Sequence, residues 1–179
     1  MKPDLRKNID TPYQPIKDKS KIAITISIFG LFIGFGLIIL MYPLTLINFF
    51  KLTQLFIGFS VVGFLIPLKL YQRWFHFIKY EMILFNLMGI GPFFTALFLV
   101  LNFLFSSNPQ TINYEIIGFE KSGNGIDLKL RSEIQKINSK ITHISEVDLE
   151  EFSAAKTIDI TLANGFFGFK VIKDRTFKK

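Results

Sequence analysis

Around His143 lie the residues of this chain most able to do chemistry: Glu146, Asp148, Glu150 and Glu151 follow it within eight positions. A histidine beside carboxylates can act as a general acid or base, and clustered carboxylates can hold a divalent cation. Nucleophilic catalysis needs more, namely a hydroxyl or thiol within reach of the base and an acid that orients it. No Ser–His–acid or paired-His spacing surrounds His143. The four acids lack the regular ligand positions and turn glycine of a calcium loop. They read instead as a solvated helix N-terminus, where carboxylates favour the helix dipole. A phosphate loop, a dinucleotide fingerprint and an HExxH helix are all absent, and the chain has no cysteine. The expectation is therefore a protein with no catalytic, cofactor-binding or metal-binding residues, and not an enzyme.

A second pattern is chemical in another sense. Gly91, Thr95 and Asn102 are spaced by four and seven, which puts them on one face of a helix made otherwise of Phe and Leu. Such a narrow polar stripe suits interhelical hydrogen bonds, and it would also suit a solute path. Proton relays and ion paths ordinarily use ionisable groups inside the membrane, and many carriers are built from inverted repeats. This chain has neither feature, so the stripe reads as packing. A transporter or channel subunit is the alternative.

These patterns must be positioned by elements, and the elements are apolar. Half of the 179 residues are hydrophobic, 22 of them Phe, and they crowd into residues 22–105. That distribution belongs to a membrane protein. Three spans are expected, at about 22–41, 55–71 and 82–105. The first has twenty uncharged residues, enough as a helix to rise about 30 Å. Tyr42, Pro43 and Leu44 follow it where a signal peptide would carry small residues, so it reads as a retained anchor. Pro43 is expected to end that helix, Pro67 to lie near the end of the second, and Pro92 to kink the third.

Charge sets the expected orientation. Lys2, Arg6, Lys7, Lys17, Lys19 and Lys21 lie in residues 1–21, a proline-containing basic tail that reads as disordered and cytoplasmic. The stretch LKLYQRWFHFIKYE, residues 68–81, reads as a cytoplasmic turn between spans two and three. Its Lys69, Arg73 and Lys79 would reach lipid headgroups, with Tyr71, Trp74 and Tyr80 in the interface. His76 is an interfacial ring with no metal partner near it. The alternation in, out, in, out leaves the C-terminus outside the cytoplasm. Because the basic excess flanks apolar segments, nucleic acid is not an expected partner.

Small residues let helices approach closely in lipid. Gly30 and Gly34 form a GxxxG pair, and Gly58 and Gly63 lie in the second apolar run. Packing of the three spans on one another is the expected use, with homodimerisation through the Gly30/Gly34 face as the sharper one.

Residues 108–179 read as a small α+β module of two β-hairpins joined by a partly helical segment. Ile126, Leu128 and Leu130 alternate with charged residues, and Ile158, Ile160 and Leu162 repeat the scheme. Asn164-Gly165 is a two-residue hairpin signal, after which Phe167, Phe169 and Val171 return on one face. Ile134, Ile137, Ile141 and Ile144 fit one helix face, with Ser132 and Gln135 as a capping box, although KITHI equally suits a strand. Without disulfides such a module has a thin core. Phe166, Phe167 and Phe169 either fill that core or meet a partner.

These readings together predict a small integral membrane protein that acts by association, as an accessory, scaffold or interaction subunit. Its expected partners are the bilayer and another membrane protein or a second copy. A membrane-anchored ligand sensor is a further alternative. The Ile-, Phe-, Lys- and Asn-rich usage is that of an AT-rich bacterial genome, so the inner membrane is the expected location.

Overall fold

The computed structural model of the chain describes residues 19–67, 69, 79–122, 125–131, 139–145 and 155–179. They form a helical part that runs, with only Phe105 and Ser106 between, into an antiparallel half-barrel of sheet. Helix α1 is Lys19–Met41, and α2 is Phe49–Val62, prolonged by a 3-10 turn Gly63–Leu65. Helix α3 has three consecutive parts: Lys79–Leu84, a π-helical turn Phe85–Ile90, and Gly91–Leu104. Two stretches, Ile24–Met41 and Met82–Leu104, are long and apolar enough to cross a membrane. The intervening helix, Phe49–Leu65, is shorter, at about 25 Å against about 30 Å of hydrocarbon.

The second helix departs from its expected bounds of 55–71 at both ends. It begins early because Asn48 caps it, its side chain accepting the Lys51 N–H at 2.7 Å. Phe49, Phe50 and Lys51 therefore belong to its first turn and not to a loop. It stops early because Pro67 excludes the α conformation from the residue before it, and Ile66 is extended at φ −70°, ψ 124°. In α3, Pro92 acts one turn upstream of its own position. The Gly91 N–H reaches back five residues to the Asn86 carbonyl, so the misfit is taken up as a π turn.

Helices α1 and α2 each lie on α3 and hardly touch one another. Gly30 and Gly34 face Gly89 and Pro92 of α3, so the GxxxG face is covered by the chain's own third helix. A Cβ on Gly34 would lie 2.7 Å from the Pro92 carbonyl carbon and 2.9 Å from the Phe93 nitrogen. On the other side of α3, Gly63 abuts the Asn86 side chain and Gly91 the Ser60 hydroxyl, each without room for a methyl group. Gly58 differs from the expected packing role: among the described residues nothing lies within 4 Å of where its Cβ would be.

Strands β1 (Ser107–Ser122), β2 (Gly125–Leu130), β3 (His143–Ser145), β4 (Thr157–Asn164) and β5 (Lys170–Lys178) form one sheet in the order β3-β2-β1-β4-β5. β1 is long enough to serve both hairpins. Its first half pairs with β4 (Tyr114↔Ile158), its second with β2 (Phe119↔Leu128), and irregularities at Ser107/Gln110 and Ile116/Gly118 bend it. The two expected hairpins are thus one sheet. The inward alternates Ile126, Leu128, Ile158 and Ile160 join Ile141, Ile144 and Ile172 in its core. Among the described residues of the joining segment Ser139–Thr142 is helical (α4), and Ile144 lies on β3. The residues at 132–138 and 146–154, with the expected capping box, lie outside the described residues, as do Tyr71, Arg73 and Trp74 of the aromatic turn.

The Gly34 contact predicts an asymmetry between neighbouring glycines. Gly34→Ala should destabilise the protein by about 1–3 kcal/mol, because backbone must move to admit the methyl group. Gly36→Ala, where no described residue lies within 4 Å, should leave the thermal transition of the detergent-solubilised chain unchanged or slightly raised.

Candidate functional site: the junction of helices and sheet

Three segments meet where α1 and α3 end: the α1–α2 loop at residues 42–48, the last turn of α3, and the β4–β5 turn. The last carbonyls of a helix have no partner within it. In α3 they are met from the sheet. The Asn102 carbonyl accepts the Phe166 N–H at 3.2 Å, and the Phe103 carbonyl accepts Lys173 Nζ at 2.6 Å. The Asn102 side chain completes the joint, with Oδ1 accepting the Phe167 N–H and Nδ2 donating to the Phe169 carbonyl, both at 2.9 Å. Asn102 is fully buried.

This joint explains why the β4–β5 connection has five residues, Gly165–Phe169, where Asn164-Gly165 suggested two. Gly165 sits against the Asn102 amide with no space for a side chain, and Gly168 takes φ +85° to close the loop. Phe167 then stacks on Phe98 of α3 with ring centroids 4.2 Å apart, and Phe169 meets the same ring edge-on. Phe166 packs against Phe105 but stays 64% exposed. Phe169 packs on a core of Ile38, Ile47, Leu52, Ala96 and Leu99, which belong to the helices and their loop.

At the end of α1 a second joint forms. Lys140, on α4, donates to the carbonyls of Tyr42, Thr45 and Ile47 at 2.6–2.9 Å and lies 3.1 Å above the Tyr42 ring. Arg175 of β5 holds the Lys140 carbonyl at 2.8 Å. Burial pushes the Lys140 ammonium down to about 8. The loop also extends the sheet: Leu46 N–H bonds the Lys170 carbonyl and Ile172 N–H the Leu44 carbonyl, each at 2.8 Å. Leu46 packs into the sheet core. Sequence reasoning had no use for Lys140; its one local signal was a place beside Ile137 and Ile141 on the flank of an apolar face.

The other polar residues are placed as follows. Gly91, Thr95 and Asn102 do share a buried face, but each meets a different partner. Thr95 Oγ1 donates to the Gly91 carbonyl at 2.7 Å within its own helix. Ser60 likewise bonds the Phe56 carbonyl. His143 is 2.7 Å from Asp127, an acid–histidine contact that the spacing had not suggested. The Asp127 carboxyl is held below its ordinary value because His143 and then Ser122 hydrogen-bond to it. The acid is the middle member, so the serine has no base, and the ring and carboxylate are both exposed. Among the described residues no group of three His, Cys, Asp or Glu is placed to hold a metal; Glu146, Asp148, Glu150 and Glu151 lie outside them. Lys69 is exposed, and only the backbone of Lys79 and Tyr80 is described.

Comparison of the chain with protein-family models, with curated proteins and with solved structures found no match.

Two outcomes follow for the junction. Asn102→Leu, close in volume, leaves the Phe167 N–H and Phe169 carbonyl unmet and should cost about 1–3 kcal/mol, with faster hydrogen exchange at the Phe166 and Phe167 amides. Lys140 gives a pH signature. Its folded value of about 8 lies below the ordinary 10.5, so between them the unfolded state binds more protons. Its contribution to stability is flat below about 8 and rises with pH towards 10.5. Denaturation of wild type and Lys140→Met across this range should show that rise in the wild type alone.

Proposed function

We propose that this chain is an integral membrane protein with three helical crossings that acts by association, as an accessory or scaffold subunit. The observation that carries the reading is the outer surface of α1. Only 11% of Ile24–Met41 is buried, and Phe29, Phe32 and Ile39 are 60–72% exposed. Water would not tolerate a continuous apolar surface of this kind, whereas a bilayer or a partner helix covers it. A core helix of a soluble protein would be buried, and a cleaved signal would not supply Ile38 and Met41 to a core or Gly34 to a helix contact.

The short α2 crosses by the same reasoning as its neighbours, since its ends must return the chain to the side from which α3 sets out. The loop at 42–48 and the sheet then share one side. The basic residues of 1–21 and 68–81 assign that side as extracytoplasmic, in a bacterial inner membrane. Association is favoured over passage because Thr95 and Asn102 of α3 are spent on an internal bond and on the joint. A ligand sensor is the second reading, supported by the direct run of α3 into β1, through which a change in the sheet would be felt at the helix end.

Purification of the chain from native membranes through an N-terminal tag in mild detergent should yield a stoichiometric complex with a larger membrane protein. Recovery of this chain alone would count against the accessory role. A reporter active only in the cytoplasm, fused after Lys179, should stay silent; activity there would reverse the orientation.

A further inference from the structure

We infer that Lys51, Lys170 and Lys173 form a rim at the junction that binds the phosphates of anionic phospholipids in the leaflet on the sheet side. The segments that meet there, residues 42–55, 98–114 and 160–173, contain these three lysines and not one Asp or Glu. Ion pairing among the described residues lies elsewhere. Glu120 with Lys129, Glu115 with Arg131, Asp127 with His143 and Asp159 with Lys178 all pair along the sheet. Asp174 follows Lys173 in β5 but accepts from the Thr176 hydroxyl at 3.1 Å and forms no ion pair with that lysine. Cations of the sheet are thus answered by carboxylates of this chain, and those of the rim are not. Lys140 is turned inward onto three carbonyls and stays out of the rim.

The rim lies where exposed apolar surface gives way to polar chain. Lys51 directly follows Phe49 and Phe50, and Lys173 lies over the last turn of α3, beside Leu104 and Phe105. These four apolar side chains are between 63% and 71% exposed. Lys170, exposed as well, stands by the α1–α2 loop, since its carbonyl accepts the Leu46 N–H at 2.8 Å. The inference rests on the bilayer reading above, which puts the headgroups of one leaflet at this level.

The neighbouring rings select the partner. An acidic soluble protein or a nucleic acid could meet the lysines, but it would leave the phenylalanines beside them in water. A phospholipid covers both, its phosphate on the ammonium groups and the start of its acyl chains on the rings. Lys173 is set in advance for this contact. Its Nζ donates to the Phe103 carbonyl at 2.6 Å and lies 3.8 Å from the centre of the Phe103 ring. An ammonium has three donors, so two remain for phosphate oxygens, in bonds strengthened by charge on both sides.

The full chain in vesicles of equal parts phosphatidylcholine and phosphatidylglycerol tests this, with a diazirine near the glycerol end of an acyl chain in one lipid or the other. After irradiation and peptide mapping, residues 49–53 and 103–106 should carry about fivefold more phosphatidylglycerol adduct than phosphatidylcholine adduct. Salt at about 1 M, where charges are felt over only about 3 Å, should remove most of that preference. Lys51→Gln with Lys170→Gln should about halve it, and neither side chain bonds to another described residue, so the fold is spared. Adding Lys173→Gln should abolish it, whereas Lys173→Arg alone should keep it. Equal labelling by the two lipids in the wild type, or a preference that survives the triple substitution, overturns the rim alone. Inorganic phosphate at constant ionic strength should leave the preference intact; its loss there would assign the rim to free phosphate and overturn the lipid. No labelling by either lipid overturns the bilayer reading and the rim together.

Discussion

The structure depends on how two helices end. The last carbonyls of a helix have no partner within it. Here α4 and the sheet supply partners. Lys140 gathers the carbonyls of Tyr42, Thr45 and Ile47 after α1, while the β4–β5 turn and Lys173 meet those of Asn102 and Phe103 in α3. Both lysines also sit where a cation favours the helix dipole. The sheet is in this sense a shared C-terminal cap. Its position over the helices is fixed by the same hydrogen bonds that complete them.

Two different forces hold the parts on either side of that joint. Among the sheet strands, burial of Ile126, Leu128, Ile158, Ile160 and Ile172 removes apolar surface from water, and the alternation of each strand suffices. Between the helices, small residues let the backbones approach closely. That is why Gly30 and Gly34 lie against the backbone of α3, and why Gly63 and Gly91 abut polar side chains without intervening methyl groups. The small sheet core is not self-contained. Leu46 enters it from the helical loop, and Phe169 leaves the sheet to pack on Ile38, Leu52 and Leu99. Each part thus completes the other's core.

What could be read from the sequence followed from rules that act over a few residues. The inward alternates of β2 and β4 and the shared face of Gly91, Thr95 and Asn102 rest on period, and the ends of α1 and α3 on the length of an uncharged apolar run. The bounds of α2 were also local, in Asn48 as a cap and Pro67 as a stop, but a hydropathy window blurs signals that fall at the edge of an apolar run. The five-residue turn, the fusion of two hairpins through β1, and the place of Lys140 were illegible for another reason. Each is decided by a residue far away: Gly165 by Asn102, β1 by β4, and Lys140 by the carbonyls of a loop almost a hundred positions earlier.

The polar face of α3 shows how one periodicity can serve several unlike contacts. Gly91, Thr95 and Asn102 lie in one α-helical segment after the π turn, so their spacing does put them in line. A path for solute requires that such groups face one continuous space. Along this face the surroundings change at every step: Gly91 meets Ser60 of α2, Thr95 turns onto its own helix, and Asn102 engages the β4–β5 turn. Smallness is wanted at the first, self-satisfaction at the second and a bidentate amide at the third. One stripe in sequence is therefore three unlike contacts in space, and what unites them is that α3 is the element on which α1, α2 and the sheet all rest.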